Sequence, residues 1–130
     1  IDTKVSFKKL IVNSRAIIPC SGYYEWKKTE NKKIPYYFTK VDDQDIFLAG
    51  IHDNGQFCVI TRDAELNNSE VHHRQPVIIQ KSQINNYFNL NNNAVEFLNN
   101  LTSPKLKFFE ISTDVNNPAK NDPSIINPVK

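Results

Sequence analysis

The chain contains 130 residues, of which 39% are hydrophobic and 11% aromatic, enough to bury the core of one ordinary domain. No apolar run has the length of a membrane span, and the first residues lack the layout of a signal peptide, so the sequence predicts a cytoplasmic protein without membrane contact. The net charge of +2 is unevenly spread, because residues 1–40 carry nine basic and three acidic side chains whereas residues 41–70 carry one and seven. The basic charge is therefore concentrated near the N-terminus.

The first residue is Ile1, and the sequence contains no methionine. A native translation start is therefore expected upstream of position 1. The sequence shows no repeat and no composition shift that marks a domain boundary. We accordingly expect residues 1–130 to form a single domain that is incomplete at its N-terminus.

A short amphipathic helix is predicted at the start of the chain. Phe7, Leu10 and Ile11 recur at the spacing of one helical face, and Ser6 precedes them as a candidate N-cap. The helix is expected to end near Asn13.

Extended segments joined by short turns dominate the next part of the chain. Strands are predicted at residues 16–18, stopped by Pro19, and at 22–27 and 35–41, with a hairpin loop at 29–33. A second hairpin is predicted from residues 46–51 and 56–61, because the intervening Asn54-Gly55 favours a tight turn. Strands that follow one another through short turns indicate antiparallel pairing.

The last third of the sequence adds two short helices and one strand. One helix is predicted after Ser82 and one over residues 94–101, with caps offered by positions 91–93, followed by a strand at 105–111. The Pro- and Asn-rich tail at 116–128 is expected to pack as ordered coil or to fray. The predicted fold class is α+β, with a mainly antiparallel sheet or open barrel and a few peripheral helices.

Basic and aromatic side chains are interleaved between positions 8 and 37, a pattern typical of surfaces that bind single-stranded nucleic acid. Lysine and arginine neutralise phosphates, and aromatic rings stack on bases. The set comprises Lys8, Lys9, Arg15, Lys27, Lys28, Lys32 and Lys33 with Tyr23, Tyr24, Trp26, Tyr36 and Tyr37. The alternative is a solvated lysine-rich hairpin over a core of aromatic residues.

The segment Val71-His72-His73-Arg74-Gln75-Pro76-Val77-Ile78-Ile79 is predicted to be extended, because Pro76 disfavours helix before it and the residues that follow favour strand. Alternation would then place His72 and Arg74 on one face and His73 on the other. An imidazole beside a guanidinium suits proton transfer on a phosphorylated substrate. A polar strand start with both histidines on the surface is the competing interpretation.

Glu25 lies in the aromatic stretch Gly22-Tyr23-Tyr24-Glu25-Trp26. Alternation along a strand places it on the face of Tyr23, opposite Tyr24 and Trp26. A partly buried carboxylate there could act as a general acid or base. On a solvated face it would be an ordinary surface charge.

Other chemistries have weaker support. His52, Asp53, His72 and His73 lack the spacing of a defined metal site, so no metal and no cofactor are predicted. Cys20 and Cys58 form neither a redox pair nor a zinc knuckle, and Cys20 matches no nucleophile signature. Both are expected to be buried thiols.

Several stretches, in this order, resemble the SRAP (SOS-response-associated peptidase) family over essentially the whole chain. They are Ser6-Phe7-Lys8-Lys9, Arg15-Ala16-Ile17-Ile18-Pro19, Gly22-Tyr23-Tyr24-Glu25-Trp26, Lys33-Ile34-Pro35-Tyr36-Tyr37, Leu48-Ala49-Gly50-Ile51, Val59-Ile60-Thr61, His72-x-Arg74-x-Pro76-Val77-Ile78-Ile79 and the tail from Val115 to Val129. The Gly-Tyr-Tyr-Glu-Trp and His-x-Arg-x-Pro stretches are its most specific elements.

The resemblance implies an abasic-site sensor or processor on single-stranded DNA. In that family, a cysteine exposed as residue one uses its amine and thiol to form a covalent thiazolidine with the sugar aldehyde. By resemblance, Glu25 handles protons as the Schiff base forms, and His72 helps to open the sugar ring and to reverse the adduct. Arg74 holds a flanking phosphate. Trp26, Lys33 and Tyr36, taken from the basic and aromatic set, are the other expected DNA contacts.

The start of this chain departs from the family pattern, because the Cys-Gly-Arg stretch with the nucleophile and an Asn-Ala-Arg-type stretch are absent. Crosslinking of a lyase or peptidase-like kind is therefore expected of the intact protein and not of residues 1–130 alone. The expected partner is single-stranded DNA with an abasic site, bound by a monomer without an obligate protein partner, which associates with the nucleoid when on DNA. Two alternatives stay open: a non-covalent single-stranded nucleic-acid binding module and an (auto)peptidase.

Overall fold

The computed structural model describes the backbone of residues 5–89 and 93–129, and their side chains except at positions 5–8 and 66. The predicted caps at positions 91 and 92 lie outside the described residues. The helices are α1 (Val5–Asn13), α2 (Ile84–Phe88) and α3 (Ala94–Asn99). The strands are β1 (Arg15–Cys20), β2 (Tyr23–Lys28), β3 (Lys33–Lys40), β4 (Ile46–Asp53), β5 (Gln56–Val59), β6 (Thr61–Asp63), β7 (Arg74–Pro76) and β8 (Leu106–Glu110). Single 3₁₀ turns occupy Leu66–Glu70, Lys81–Gln83, Thr113–Asn116 and Pro123–Ile126.

The chain forms two compact units, each assembled from three separate segments. The first comprises residues 1–20, 45–62 and 76–104, and the second comprises residues 21–44, 63–75 and 105–130. Each contains a three-stranded antiparallel sheet, and no sheet closes into a barrel among residues 5–89 and 93–129. The predicted α+β class with mainly antiparallel strands is confirmed. None of the helices described is long and apolar enough to cross a membrane.

The first unit packs its three helices against the sheet β1-β4-β5. The predicted turn between β4 and β5 is present, with Asn54 and Gly55 both at positive φ, 50° and 78°, which suits the twist of a two-residue hairpin. Asn93 caps α3 by accepting a hydrogen bond from the Glu96 N–H, as predicted for this cluster. The buried core is formed by Ile11, Ala49, Ile51, Ile60, Val77, Ile79, Tyr87, Ala94 and Leu98.

Two local predictions for the first unit are wrong. The first helix already includes Ser6, which is therefore not its N-cap. Pro19 does not stop β1, because β1 lies at the edge of its sheet, where a missing N–H need not remove a ladder hydrogen bond.

The predicted burial of both cysteines is also wrong, since Cys20 is half-buried and Cys58 is exposed; neither forms a disulfide. Cys58 lies on β5, the short edge strand of the sheet, whose side chains remain largely exposed.

Arg15 is a structural residue and not the phosphate contact suggested by the basic pattern. Its side chain is buried, with Nε donating to the Ile11 carbonyl at 2.6 Å and Nη1 to the carbonyls of Tyr87 at 2.6 Å and Asn89 at 3.1 Å. These carbonyls lie at the C-terminal ends of α1 and α2, where a cation is favoured. The guanidinium therefore joins two helix ends.

Tyr87 is expected to make this core less stable as the pH becomes alkaline. Its ring is buried, its hydroxyl donates to the Gly50 carbonyl at 2.7 Å, and burial raises the pKa of this phenol well above its ordinary value near 10. Above pH ~10 the unfolded phenol ionises while the folded one stays protonated, so this contribution to the free energy of unfolding declines by at most ~1.4 kcal/mol per pH unit. Urea unfolding at pH 8 to 11 should therefore show a smaller decline in Tyr87→Phe than in the unmodified protein. Parallel pH dependences would contradict this role.

The second unit is organised by the sheet β2-β3-β8, in which β2 and β3 form the predicted hairpin. Aromatic residues line both faces of this sheet. Tyr23, Phe38 and Phe108 stack in sequence on one face at centroid distances of 4.9 Å, and Tyr24, Tyr37 and Phe109 lie in tilted contact on the other. The tail is anchored to the sheet by the pairing of Ile111 with Pro128.

Residues 63–75 of the second unit form a loop held by one buried amide. The Oε1 of Gln75 accepts hydrogen bonds from the Glu65 N–H at 3.0 Å and from the Asn68 side chain at 2.9 Å. Val71 is buried at the end of the 3₁₀ turn, and the His72 N–H donates to the Asn68 carbonyl at 3.3 Å. These contacts hold the backbone on both sides of His72 and thereby fix the position of its side chain.

Candidate functional site

Glu25 lies on β2, an edge strand of the described sheet, directly across from Tyr36 of β3. Its carboxylate folds back along the strand, because Oε1 accepts the Trp26 backbone N–H at 3.2 Å. The side chain is 26% exposed, so the carboxylate is screened by neighbours but still reachable from solvent. This hydrogen bond holds the carboxylate against the edge of the sheet.

His72 presents its Nε2 to this carboxylate, at 3.9 Å from the Glu25 Oε1. The other ring nitrogen, Nδ1, lies 3.1 Å from the Arg74 N–H donor and 3.2 Å from the Arg74 carbonyl. When unprotonated it accepts from the N–H, and when protonated it can donate to the carbonyl. Both protonation states of the ring therefore keep a partner at Nδ1, which leaves Nε2 directed toward Glu25.

A cavity of about 530 Å³ lies beside this carboxylate and imidazole within the second unit. It is lined by Glu25, Trp26, Lys28, Lys33, His72 and Asn116. Lys28 and Lys33 face each other across β2 and β3 at the end of the hairpin. We refer to this space as the Glu25–His72 cavity.

Trp26 is held in the cavity wall by a residue distant in sequence. Its indole Nε1 donates to the Asn116 Oδ1 at 2.9 Å, and Asn116 ends the 3₁₀ turn Thr113–Asn116. That turn is capped by Ser112, whose hydroxyl accepts from the Asp114 N–H at 3.1 Å. Asn116 is not among the site residues predicted from the sequence, where it belongs only to the family-like tail from Val115 to Val129.

The structure brings together four of the six residues selected from sequence, namely Glu25, His72, Trp26 and Lys33, all of which line the cavity. The other two, Arg74 and Tyr36, do not line the cavity, and their side chains have other partners. The Arg74 guanidinium pairs with the Asp63 carboxylate, Nη1 to Oδ1, at 2.8 Å, and the Tyr36 ring packs edge-on against Phe108 at 6.1 Å.

The predicted extended geometry of residues 71–73 is wrong. The strand β7 begins only at Arg74, and a bend at His73 brings the two imidazoles into a stack with centroids 4.6 Å apart. His72 and His73 therefore do not point to opposite faces. The loop contacts of Asn68 and Gln75 prevail over the strand preference of this short segment, because they hold its backbone from within the unit.

Two further predictions from the sequence concern base stacking on the aromatic residues and metal binding. Tyr37 is only 8% exposed, so it supports the sheet and is not a ring on which a base can stack. Within the part of the chain that the structure describes, no three His, Cys, Asp or Glu side chains converge as a metal site would require.

Comparison with known proteins gives this geometry a context. The family model described as SOS response associated peptidase (SRAP) matches residues 1–118. The abasic site processing protein YoqW of Bacillus subtilis is 31% identical over 139 residues, covering 95% of this chain and 61% of YoqW. The abasic site processing protein YedK of Escherichia coli is 33% identical over 85 residues, covering 59% of this chain and 38% of YedK.

A solved structure agrees with the fold. The crystal structure of a protein from Bacteroides thetaiotaomicron matches with a TM-score of 0.83 at 28% identity, covering 98% of this chain and 62% of that protein. This chain thus spans about three fifths of the length of YoqW and of the Bacteroides protein. The family match covers most of the sequence, and the chain therefore belongs to the SOS response associated peptidase (SRAP) family.

Proposed function

We propose that the whole protein processes abasic sites in single-stranded DNA by forming a covalent adduct with the sugar aldehyde. The observation that carries this proposal is the Glu25–His72 pair, 3.9 Å apart, inside a cavity whose rim holds two lysines. A carboxylate and an imidazole within one small movement of contact can relay protons, and such pairs tighten when substrate binds. The names of the relatives YoqW and YedK, both abasic site processing proteins, support the same substrate.

The chemistry that we assign is condensation of an aldehyde with an aminothiol. The amine adds to the aldehyde carbon, the carbinolamine loses water to give a Schiff base, and the thiol adds to the C=N bond to close a thiazolidine. No cysteine is among the described residues that line the cavity. Following the family resemblance, we assign the nucleophile to a cysteine that precedes Ile1 in the whole protein. Positioning the aldehyde against this residue supplies much of the rate by proximity.

Each residue of the pair has a separate task in this proposal. Glu25 takes a proton from the attacking amine and returns one to the hydroxyl that leaves as water. His72, through Nε2, transfers the proton that opens the sugar ring and later assists reversal. The Trp26 N–H and the Arg74 backbone hold Glu25 and His72, respectively, so neither side chain has to be ordered when substrate arrives.

The DNA backbone is assigned to the basic residues of the cavity rim. Two lysines opposite each other on neighbouring strands repel in the absence of an anion, so a phosphate between Lys28 and Lys33 would relieve that repulsion. Arg74 is a further phosphate ligand, because its pairing with Asp63, a residue 93% exposed, is an inexpensive contact to exchange. Trp26 supplies a ring for stacking. We retain Tyr36 as a weaker candidate, since its ring is already packed on Phe108.

The decisive test of this function is formation of a denaturation-resistant adduct. The intact gene product, incubated with a single-stranded oligonucleotide carrying one abasic site, should give a shifted band that survives denaturing electrophoresis. The same oligonucleotide with an intact base should give none. Residues 1–130 alone should form no adduct. Equal, salt-sensitive binding of both strands without an adduct would instead identify a non-covalent binding module.

The lysine pair makes a quantitative prediction about DNA affinity. In the intact protein, the double substitution Lys28→Gln and Lys33→Gln should weaken binding to single-stranded DNA and reduce the slope of log affinity against log salt by ~1.4, or about 0.7 for each lost phosphate contact. The measurement is fluorescence anisotropy at several salt concentrations. A matched control removes the same charge at Lys27 and Lys105, outside the cavity lining, and should change the slope less. Equal changes of the salt slope in the two double variants would show that Lys28 and Lys33 are not specific phosphate contacts.

A further inference from the structure

A second cavity in the same unit is not used by the proposed chemistry. It has a volume of about 340 Å³ and lies between the start of β2 and the tail. Its lining includes Tyr24, Tyr37, Asp122, Ile125 and Ile126. We refer to it as the Tyr24 cavity.

The aromatic wall of the Tyr24 cavity is formed by two contacting tyrosine rings, one of them partly exposed. Tyr24 is 38% exposed and rests on the buried Tyr37 ring, 5.8 Å away at an angle of 51°. The Tyr37 hydroxyl is hydrogen-bonded to the Ser21 hydroxyl at 3.1 Å, which holds that ring in place. Gly22 lets the chain pack closely beneath this wall, because a Cβ there would lie 2.5 Å from the Phe38 carbonyl oxygen and against the Tyr37 phenol.

Tyr24 continues a row of side chains that begins in the Glu25–His72 cavity. Tyr24, Trp26 and Lys28 alternate onto one face of β2, and the Tyr24 and Trp26 rings lie 6.4 Å apart at an angle of 56°. Successive nucleotides in stacked DNA are only ~3.4 Å apart. Two rings whose centroids are 6.4 Å apart therefore suit an unstacked strand, whose bases stack on protein side chains and not on each other. Lys28 and Lys33 supply the complementary charge at the far end of this row.

The acidic member of the wall is engaged locally. Asp122 Oδ1 accepts from the Ser124 N–H at 2.9 Å and also binds the Ser124 hydroxyl, and these hydrogen bonds lower the pKa of its carboxyl. Asp122 thereby caps the turn Pro123–Ile126. The Tyr24 ring and the side chains of Ile125 and Ile126 remain as the surface that a flat, uncharged ring can cover.

We propose that the Tyr24 cavity binds the unpaired base of a nucleotide adjacent to the abasic one. This inference rests on the proposed function, which puts the abasic sugar beside Glu25 and His72. Stacking of a base on Tyr24 holds the strand in register, so that the sugar without a base is the one presented to the acid/base pair. Stacking of this kind tolerates any base, since every base offers a π-face.

The test measures whether Tyr24 senses a neighbouring base. The intact protein is titrated with three strands that carry an unreactive tetrahydrofuran abasic analogue: one with bases on both sides, one lacking the 5′ neighbouring base and one lacking the 3′ base. The first strand should bind about 5- to 150-fold more tightly than whichever of the other two strands lacks the base that stacks on Tyr24. Tyr24→Leu should abolish this difference, whereas Tyr24→Phe, which keeps the ring, should preserve it. Thermal unfolding of both variants verifies that they fold.

The outcomes separate this inference from the proposed function. If the unmodified protein binds all three strands equally, or if Tyr24→Leu leaves the difference intact, the inference is overturned. Adduct formation by the unmodified protein on a reactive abasic strand is measured in parallel, at saturating DNA. An adduct without base dependence overturns only the Tyr24 subsite. Absence of any adduct with the unmodified protein overturns the proposed function and, with it, this inference.

Discussion

Replacing Glu25 with glutamine in the intact protein is expected to slow adduct formation by about 10²- to 10⁴-fold, the usual contribution of a positioned acid/base group. The amide oxygen of Glu25→Gln can still accept the Trp26 N–H, so the side chain should keep its place at the edge of β2. What is lost is the ability to exchange a proton with the amine and the carbinolamine. The measurement is the single-turnover rate of adduct formation at saturating abasic DNA.

The control for Glu25→Gln is Glu110→Gln on the same sheet. Glu110 is exposed on β8 and pairs in register with Tyr36, as Glu25 does from the other side, but it does not line the cavity. Its substitution makes the same chemical change and should leave the rate close to that of the unmodified protein. If Glu25→Gln also reacted at that rate, the carboxylate would be a structural residue, and the acid/base assignment would fail.

His72→Asn is expected to slow both formation and reversal of the adduct by about 10²-fold or more. The asparagine Oδ1 can accept the Arg74 N–H in place of Nδ1, so the loop should be retained while the proton carrier at Nε2 is removed. His73→Asn is the matched control, because His73 stacks on His72 but is exposed and does not line the cavity. Equal effects of the two substitutions would indicate that the stack, and not the proton, matters.

A second substrate distinguishes ring opening from the later steps. An oligonucleotide carrying an acyclic aldehyde in place of the abasic sugar needs no ring opening. With this substrate, His72→Asn should lose much less in the forward rate, whereas Glu25→Gln should lose as much as before. An equal loss for His72→Asn on both substrates would place its role in the steps that follow ring opening, contrary to the proposed division of tasks.

Local chemistry in the sequence was sufficient to predict most elements. The alternation in 22–27 and 35–41, the lysine-rich loop between them and the Asn54-Gly55 turn each depend on residues within a few positions, and the two hairpins were predicted correctly. The helix after Ser82 and the Asn93 cap also arise from local signals. The α+β class follows from these elements because short turns leave antiparallel pairing as the simple arrangement.

Long-range contacts determine the positions of Arg15, Arg74 and residues 71–73, which local sequence patterns did not predict. The Arg15 charge resembled a phosphate ligand in sequence, yet carbonyls of two helices, one of them 72 residues away, withdraw it into the core. The Arg74 side chain pairs with Asp63, and the buried amide of Gln75 organises the loop that replaces the predicted extended run at 71–73. Neither partner is evident from alternation, which describes only neighbours along one strand.

The sequence by itself was therefore sufficient to select Glu25 and His72 as candidate site residues and to predict most of the strands and turns around them. Only the tertiary structure decided that these two side chains face each other at 3.9 Å, and that Asn116, 90 residues from Trp26, holds the indole beside them. The physical reason is that hairpin register and side-chain alternation are encoded by adjacent residues, whereas a cavity is formed where distant segments are brought together by burial and hydrogen bonding.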